Sequence, residues 1–153
     1  MTVAHRPSME AVLLACAYAM SRRSTCPNLQ VGVVIALDLR IMSTGYNGAP
    51  RGLQHCTHPS RVDVPDQPPC VTTVHAEANA VAFAAREGIN LGGATVFGTH
   101  SPCRTCAQLL VGTGVVRYVA LDRYHDGSGI DVLEAAKIEF EVRRTPVADL
   151  LGM

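Results

Sequence analysis

No sign of charge prevails in this sequence, because 13 basic and 13 acidic residues leave a formal net charge of zero. A chain without a basic excess has no global field that attracts nucleic acid or an anionic membrane, so local arginines must meet any anionic ligand. Aromatic residues make up only 5% of the chain, and no stripe of basic and aromatic residues suited to single-stranded nucleic acid is present. These absences argue against a polynucleotide substrate.

The sequence also has little that would direct it to a membrane. The longest apolar stretch near the start, positions 11–20, is too short to span a bilayer. The first residues lack the basic and then apolar order of a signal peptide. We therefore expect no membrane partner and a cytoplasmic location.

Low-complexity runs and internal repeats are absent as well. Apolar residues make up 48% of the chain and charged residues 17%, a composition that is typical of globular proteins and argues against long disorder. The length of 153 residues is that of one ordinary domain. We predict a single domain over positions 1–153.

Cysteine occurs six times, which is sparse for a disulfide scaffold in a chain of this length. Without an export signal, metal binding or catalysis is the expected use of these residues. Cys16 is the exception, since it lies among Ala, Leu and Tyr in a helical pattern and is typical of a small core residue.

The order of predicted elements indicates an α/β protein. The apolar segment 9–20 predicts a helix with Ser8 as its cap, and β-branched runs at 30–37 and 40–46 predict a hairpin that turns at Asp38-Leu39. Further helices are predicted at 75–87, 103–111 and 130–136, and strands at 94–98, 115–121 and 138–142. Segment 51–71 is predicted to be a long loop, which in a compact domain usually carries function. Together these elements predict a mixed five-stranded sheet with helices on both faces, in three layers, α/β/α.

Two short motifs, His75-Ala-Glu77 and Pro102-Cys103-Arg-Thr-Cys106, carry the chemistry of this sequence. One imidazole and two thiolates can hold zinc and leave a fourth position for water, which is typical of catalytic rather than structural sites. A His-x-Glu motif followed by Pro-Cys-x-x-Cys is the signature of zinc-dependent base deaminases. Both motifs open predicted helices, where unpaired amides and the helix dipole lower thiol pKa values.

Glu77 is the residue of this pattern for which no structural role is evident. Zinc lowers the pKa of a bound water to about 7, and one carboxylate can then move protons to a ring nitrogen and to departing ammonia. Each half of the pattern is weak alone, because Cys-x-x-Cys also occurs in zinc ribbons and redox pairs and His-x-Glu arises by chance on helices. The two halves together favour a catalytic zinc site.

Beyond these motifs, the chain resembles the deoxycytidylate (dCMP) deaminase family of zinc-dependent deaminases, including its phage and bacterial competence-operon members. The matching segments include Arg23-Ser-Thr-Cys26, Gln30-Val-Gly-Val33, Gly45-Tyr-Asn-Gly48, His55-Cys56, Phe83-Ala-Ala-Arg86 and Thr99-His-Ser-Pro-Cys103. The segments at 23–26 and 45–48 point to the deoxynucleotide branch. The resemblance implies a cytidine deaminase-like fold and hydrolysis of dCMP to dUMP and ammonia, which feeds thymidylate synthesis.

The resemblance also implies roles for individual residues. It gives the catalytic zinc ligands as His75, Cys103 and Cys106, with Glu77 as the proton shuttle. Asn47 would contact the deoxyribose, while Arg86 and Tyr124 would lie near the phosphate or at a regulatory nucleotide interface. Without the family, Arg86 is typical of a solvated helix face and Tyr124 of packing at a strand end.

A second, structural zinc is a further implication of the resemblance. Its candidate ligands are Cys26, Cys56 and Cys70, with His58 as the fourth and His55 as the alternative. A metal ion would keep the irregular loop ordered. Some bacterial relatives have a cysteine where Arg61 stands, so the fourth ligand stays open, and isolated cysteines are also typical of core positions.

Assembly and regulation follow only from the resemblance, which implies a homohexamer controlled by dCTP and dTTP, with Mg²⁺ accompanying the effector. Two other functions stay open: deamination of a related substrate such as dCTP, a modified deoxycytidylate, cytidine or a base in tRNA, and a non-catalytic zinc fold that binds nucleotide. Glu77 argues against the second function, because a pure binder needs no carboxylate beside an open zinc position. His100 either lines the pocket or fills space beside the zinc.

Overall fold

The computed structural model describes residues 6–61, 63–64, 66 and 70–152. Its strands are β1 (Gly32–Leu37), β2 (Arg40–Tyr46), β3 (Thr95–His100), β4 (Arg117–Asp122) and β5 (Glu139–Val142). They form one five-stranded sheet in the order β2-β1-β3-β4-β5. β1 runs antiparallel to β2 and β3, whereas β3, β4 and β5 are parallel. The sheet is therefore mixed, as predicted.

The helices found among the described residues are α1 (Met9–Ser21), α2 (Ala76–Glu87), α3 (Arg104–Thr113), α4 (Ser128–Ala135) and α5 (Val147–Leu151). α1 and Leu150 of α5 pack on one face of the sheet, and α2, α3 and α4 pack on the other. This confirms the three-layer fold. Across the described ranges, no helix has the length and apolar character needed to cross a membrane.

α2 approaches the sheet closely because its inner face consists of alanines. Ala76, Ala80 and Ala84 are buried against β1 and the strands beside it. A Cβ at Gly45 on β2 would lie 2.2 Å from the carbonyl oxygen of Ala76, so a side chain there would push the helix away. This close contact fixes the position of the helix start, where His75 lies.

Two local predictions, the cap of α1 and the core position of Cys16, are confirmed, and one helix was not predicted. The Ser8 hydroxyl accepts a hydrogen bond from the amide of Ala11, which begins α1 as predicted. Cys16 on α1 is partly buried and packs against the core, as predicted. α5 was not predicted, because five residues after Pro146 are too few to show a helical period and only the packing of Leu150 identifies the segment.

A network of charged residues ties α1 to the far edge of the sheet. Arg117 on β4 and Arg143 after β5 both donate to the carboxylate of Glu10 on α1. Arg117 also bonds Glu141 at 2.7 Å, and Arg143 bonds it at 2.6 Å. Partial burial raises the pKa of Glu10, but the hydrogen bonds from both arginines outweigh it and leave that pKa below its usual value.

Candidate active site

The starts of α2 and α3 meet at the edge of the sheet. His75 and Cys103 are the N-cap residues of these helices and have extended backbones, with ψ of 156° and 167°. Cys106 follows one turn later on α3. The Nδ1 atom of His75 lies 3.4 Å from the sulfur of Cys103 and 3.5 Å from that of Cys106. The sequence predicts helices from 75 and 103, and both begin one residue later, at Ala76 and Arg104.

The chemistry of these three donors suits a divalent cation. All three ligand atoms lie within 4.8 Å of one another. Hydrogen bonds from Cys106 and His75 lower the pKa of Cys103 to about 4 despite its partial burial, whereas the neighbouring Cys103 and burial raise the pKa of Cys106. Two thiolates this close repel each other, so both ionise only with a cation between them.

Glu77 lies on the first turn of α2 and is only 3% exposed. Burial raises the pKa of its carboxyl group, although a hydrogen bond from Tyr118 opposes the shift. The Tyr118 hydroxyl lies 3.1 Å from Glu77 Oε1. A raised pKa makes a carboxylate a stronger base, which suits a group that accepts a proton and later returns it.

A cavity of about 550 Å³ opens above this group, and small-molecule sites are commonly about 300 to 1,000 Å³. The described residues in its wall include Asn47, Arg61, His75, Glu77, His100 and Tyr124. His100 therefore lines the pocket, the first of the two positions expected for it. Burial lowers the pKa of its imidazole.

Asn47 enters this cavity wall with its amide already oriented. Its Oδ1 accepts a hydrogen bond from the amide of Val31 at 2.8 Å, and its Nδ2 donates to the carbonyl of Leu29 at 2.7 Å. One N–H of the side-chain amide is left for a ligand. The amide can therefore donate to a ligand in the cavity without giving up its backbone contacts.

Arg86 and Tyr124 lie in different places. Tyr124 lines the cavity, and its backbone amide donates to the Ser101 hydroxyl at 2.8 Å. Arg86 is on the outer face of α2, with its side chain 63% exposed, and it pairs with Glu87 at 2.7 Å. Among the described residues that line the cavity, the one guanidinium is that of Arg61.

A second group of possible ligands lies in the long loop. The ligand atoms of Cys56, His58 and Cys70 are within 4.8 Å of one another. His58 Nδ1 lies 2.9 Å from the carbonyl oxygen of Pro59, so it carries the proton that is donated to that oxygen. The buried Nε2 of His58 has no hydrogen-bond partner. A bare, buried imidazole nitrogen beside two thiols is what a metal ligand requires.

The other two candidates for this second group are placed differently. Cys26 lines the cavity and lies outside the group of three. Burial is the main cause that raises the pKa of Cys56, and the charge of the nearby Cys26 adds to that rise. His55 is exposed and also lies outside it. The Thr73 hydroxyl, 3.3 Å from the Cys70 sulfur, is the main cause that lowers the pKa of Cys70 to about 6.

Sequence reasoning missed Arg61 as a cavity residue and Tyr118 as a neighbour of Glu77. Arg61 is in an irregular segment and belongs to no motif. Tyr118 is one residue in a buried strand and belongs to no motif. A hydroxyl group within an apolar run was the available signal, since buried tyrosines need a partner for that group.

The family model of the cytidine and deoxycytidylate deaminase zinc-binding region matches residues 7–122 of this chain. Deoxycytidylate deaminase of Mycobacterium phage D29 is 40% identical over 123 residues, which are 74% of this chain and 94% of that protein. ComE operon protein 2 of Bacillus subtilis is 34% identical over 110 residues, 72% of this chain but only 57% of that longer protein.

The solved structures include close neighbours of the fold. The dCMP deaminase of cyanophage S-TIM5 in complex with dCMP and dUMP has a TM-score of 0.80 and 28% sequence identity. The match covers 90% of this chain and 98% of that one. The order of sheet and helices described above is therefore that of a nucleotide deaminase.

Proposed function

This chain belongs to the cytidine and deoxycytidylate deaminases, and we propose that it hydrolyses dCMP to dUMP and ammonia. One observation carries the proposal: the donor atoms of His75, Cys103 and Cys106 meet, and two of these residues, His75 and Cys103, line a nucleotide-sized cavity together with the buried Glu77. The dCMP deaminases of phage D29 and cyanophage S-TIM5 support the choice of substrate.

We assign the zinc to His75 Nδ1 and the sulfurs of Cys103 and Cys106. When bound, zinc supplies a Lewis acid that lowers the pKa of a water molecule at the open fourth position. These three side chains extend from two helix N-termini, whose dipoles favour the thiolates that zinc needs. Because His75 and Cys103 are the N-cap residues of α2 and α3, these ligands would hold the metal from rigid elements of the fold.

Glu77 moves the protons of the reaction. As the water oxygen forms a bond to C4 of the cytosine ring, the carboxylate takes a proton from that water and delivers it to N3. The same carboxyl group then carries the second proton to the exocyclic nitrogen. The bond from C4 to that nitrogen breaks, ammonia leaves, and C4 keeps the oxygen as a carbonyl. Burial of Glu77 supports this role because it raises the pKa of the carboxyl group.

The rest of the cavity would bind the nucleotide. Asn47 has one free N–H for the deoxyribose, and Tyr124 lines the same wall. Arg61 is our candidate for the phosphate, because a guanidinium fork matches phosphate oxygens. Its charge reaches this region, since it opposes the rise that burial causes in the pKa of Tyr124. Arg86 lies outside the cavity, and we assign it to a regulatory surface between subunits.

We also propose a structural zinc on Cys56, His58 and Cys70. The partnerless Nε2 of His58 supports it, as does the distance of 3.5 Å between the two sulfurs. Cys26 would complete the set if its side chain turns from the cavity wall toward the group. A metal here would hold the loop that carries Arg61 against the active site.

The wider properties of the enzyme rest on the family resemblance. We propose one deaminase domain over residues 1–153, a homohexamer, and a cytoplasmic location beside the nucleotide pool. Allosteric activation by dCTP and inhibition by dTTP, with Mg²⁺ bound to the effector, belong to the same proposal.

A turnover screen tests this function directly. Ammonia release is measured with cytosine, cytidine, dCMP, dCTP and tRNA as substrates. Every assay except that of dCTP itself is repeated with dCTP added as an effector. We expect dCMP to give the highest kcat/KM. Preference for dCTP or cytidine would favour a related deaminase, and no turnover by a zinc-loaded protein would favour a non-catalytic nucleotide-binding fold.

A further inference from the structure

Tyr118 on β4 contacts the carboxyl group of Glu77 from the interior of the protein. Its hydroxyl oxygen lies 3.1 Å from Glu77 Oε1 and 2.8 Å from the carbonyl oxygen of His100. Tyr118 is fully buried, so no water competes for these contacts. Glu77 on α2 is therefore held by Tyr118 on β4, on the side of the carboxyl group that faces the protein interior.

The fold provides a specific space for this hydroxyl group. A Cβ at Gly98 on β3 would lie 2.4 Å from the Tyr118 hydroxyl oxygen, so any side chain at position 98 would displace it. The Tyr118 ring also packs near Phe140, with 6.2 Å between the ring centroids. The ring is thus fixed from two neighbouring strands, and its hydroxyl has one position.

A phenol is well suited to hold this particular carboxyl group. Its hydroxyl group has one proton to donate, and both neighbours, Oε1 of Glu77 and the carbonyl oxygen of His100, are acceptors. The hydroxyl lies between these two acceptors, so Oε1 of Glu77 always faces a donor at a fixed position. A proton shuttle needs such a hold, because a misplacement of about 1 Å can lower a rate by about 10²-fold.

We propose that Tyr118 is a positioning residue that fixes Oε1 of Glu77 and leaves Oε2 to exchange protons with water and substrate. This inference rests on the proposed function, in which Glu77 is the proton shuttle. It concerns Tyr118 and Gly98, which lie outside the deaminase motifs and outside the zinc ligands.

The Tyr118→Phe variant tests the inference, because it removes the hydroxyl group and keeps the ring. We expect kcat to fall on the order of tenfold to a hundredfold, the effect of losing a hydrogen bond to a charged group, while KM for dCMP and zinc content stay at the parent values. Tyr18→Phe is the matched control, since Tyr18 is 46% exposed on α1, and it should retain the parent kcat. Parent kcat in Tyr118→Phe, or a fall in kcat accompanied by loss of zinc, would overturn the proposal.

A double-mutant cycle shows whether Tyr118 acts through Glu77. The probe is the 5′-monophosphate of tetrahydrodeoxyuridine, whose tetrahedral, hydroxyl-bearing carbon resembles the transition state. We expect Tyr118→Phe to weaken its binding about tenfold when Glu77 is present and to have no effect in the Glu77→Ala background, which has no oxygen for the hydroxyl to contact. Equal weakening in both backgrounds would assign Tyr118 a purely structural role. Turnover by the parent reports the proposed function separately, so the two ideas can fail independently.

Discussion

His75 Nδ1 and the Cys103 sulfur lie 3.4 Å apart although 28 positions separate the two residues in the chain. The contact exists because α2 and α3 both begin at the same edge of the sheet, each with one of these residues as its N-cap. A ligand on a helix cap has little freedom, since the first turn fixes its backbone. The fold itself therefore brings these donor atoms together from two separate segments of the chain.

Replacing Cys106 by alanine should remove the catalytic zinc. The remaining pair of donors leaves zinc with two protein ligands, and catalytic sites use three. We expect the zinc content of Cys106→Ala to fall by about one ion per chain and deaminase activity to be lost. Cys16→Ala is the control, because Cys16 is on α1 and packs against the core, so its loss should leave zinc unchanged. Full zinc occupancy in Cys106→Ala would refute the ligand assignment.

The Glu77→Gln variant should separate metal binding from catalysis. Glutamine keeps the size of the side chain but cannot accept and return a proton, so we expect activity to fall by at least about 10²- to 10⁴-fold. Zinc content and the affinity for dCMP should stay close to those of the parent. Turnover comparable to the parent would show that another group shuttles the protons.

Arg61→Gln should change the preference between nucleotide and nucleoside. If the guanidinium binds the phosphate, the variant will have a KM for dCMP raised by about tenfold or more, as expected for a lost charge-assisted hydrogen bond. Turnover of deoxycytidine, which has no phosphate, should not change.

Arg86→Gln is the matched comparison for this prediction, because Arg86 is exposed outside the cavity and bonded to Glu87. Without an effector it should keep the parent KM for dCMP. The opposite result, a normal KM in Arg61→Gln and a raised KM in Arg86→Gln, would move the phosphate site to α2 of a neighbouring subunit.

The sequence was sufficient to predict the sheet, its two helical layers and the meeting of His75 with the cysteines of α3. These features depend on local patterns: β-branched runs, apolar helices and motifs at helix starts. The contact between Tyr118 and Glu77 could not be predicted from local patterns. It depends on the register of β4 against β3, which places the phenol hydroxyl over Gly98.

The positions of Arg86 and Arg61 could likewise not be predicted from the sequence. Arg86 is on a helix next to the motif, and only the rotation of α2 shows that it points outward. Arg61 is in an irregular loop, where no periodicity indicates direction. Its position in the cavity wall follows from the path of that loop, which also brings Cys56, His58 and Cys70 together.

The loop cluster should bind a second zinc ion through His58. We expect about two zinc ions per chain in the parent and about one in His58→Ala, as for a structural site that loses a ligand. His55→Ala is the control, since His55 is exposed and lies outside the group, and it should keep both ions. One zinc ion in the parent, with Cys56→Ala folding normally, would exclude the second site.

Acid should weaken the attachment of α1 to the sheet through Glu10. The folded-state pKa of Glu10 lies below its ordinary value of 4.5, so its ion pairs with Arg117 and Arg143 stabilise the fold above that pH. The stabilisation is lost as the pH falls below about 4.5, when the native carboxylate becomes protonated. Because these side chains are partly solvent-exposed, we expect a contribution on the order of 1 kcal/mol.

Urea unfolding at neutral pH and at a series of acidic pH values measures this contribution. Glu10→Gln should lower the free energy of unfolding at neutral pH, and the difference from the parent should shrink on acidification. Glu87→Gln is the matched control, because Glu87 forms an exposed pair with Arg86, and it should change little at any pH. A difference between Glu10→Gln and the parent that stays constant as the pH falls would show that the carboxylate charge does not hold α1 in place.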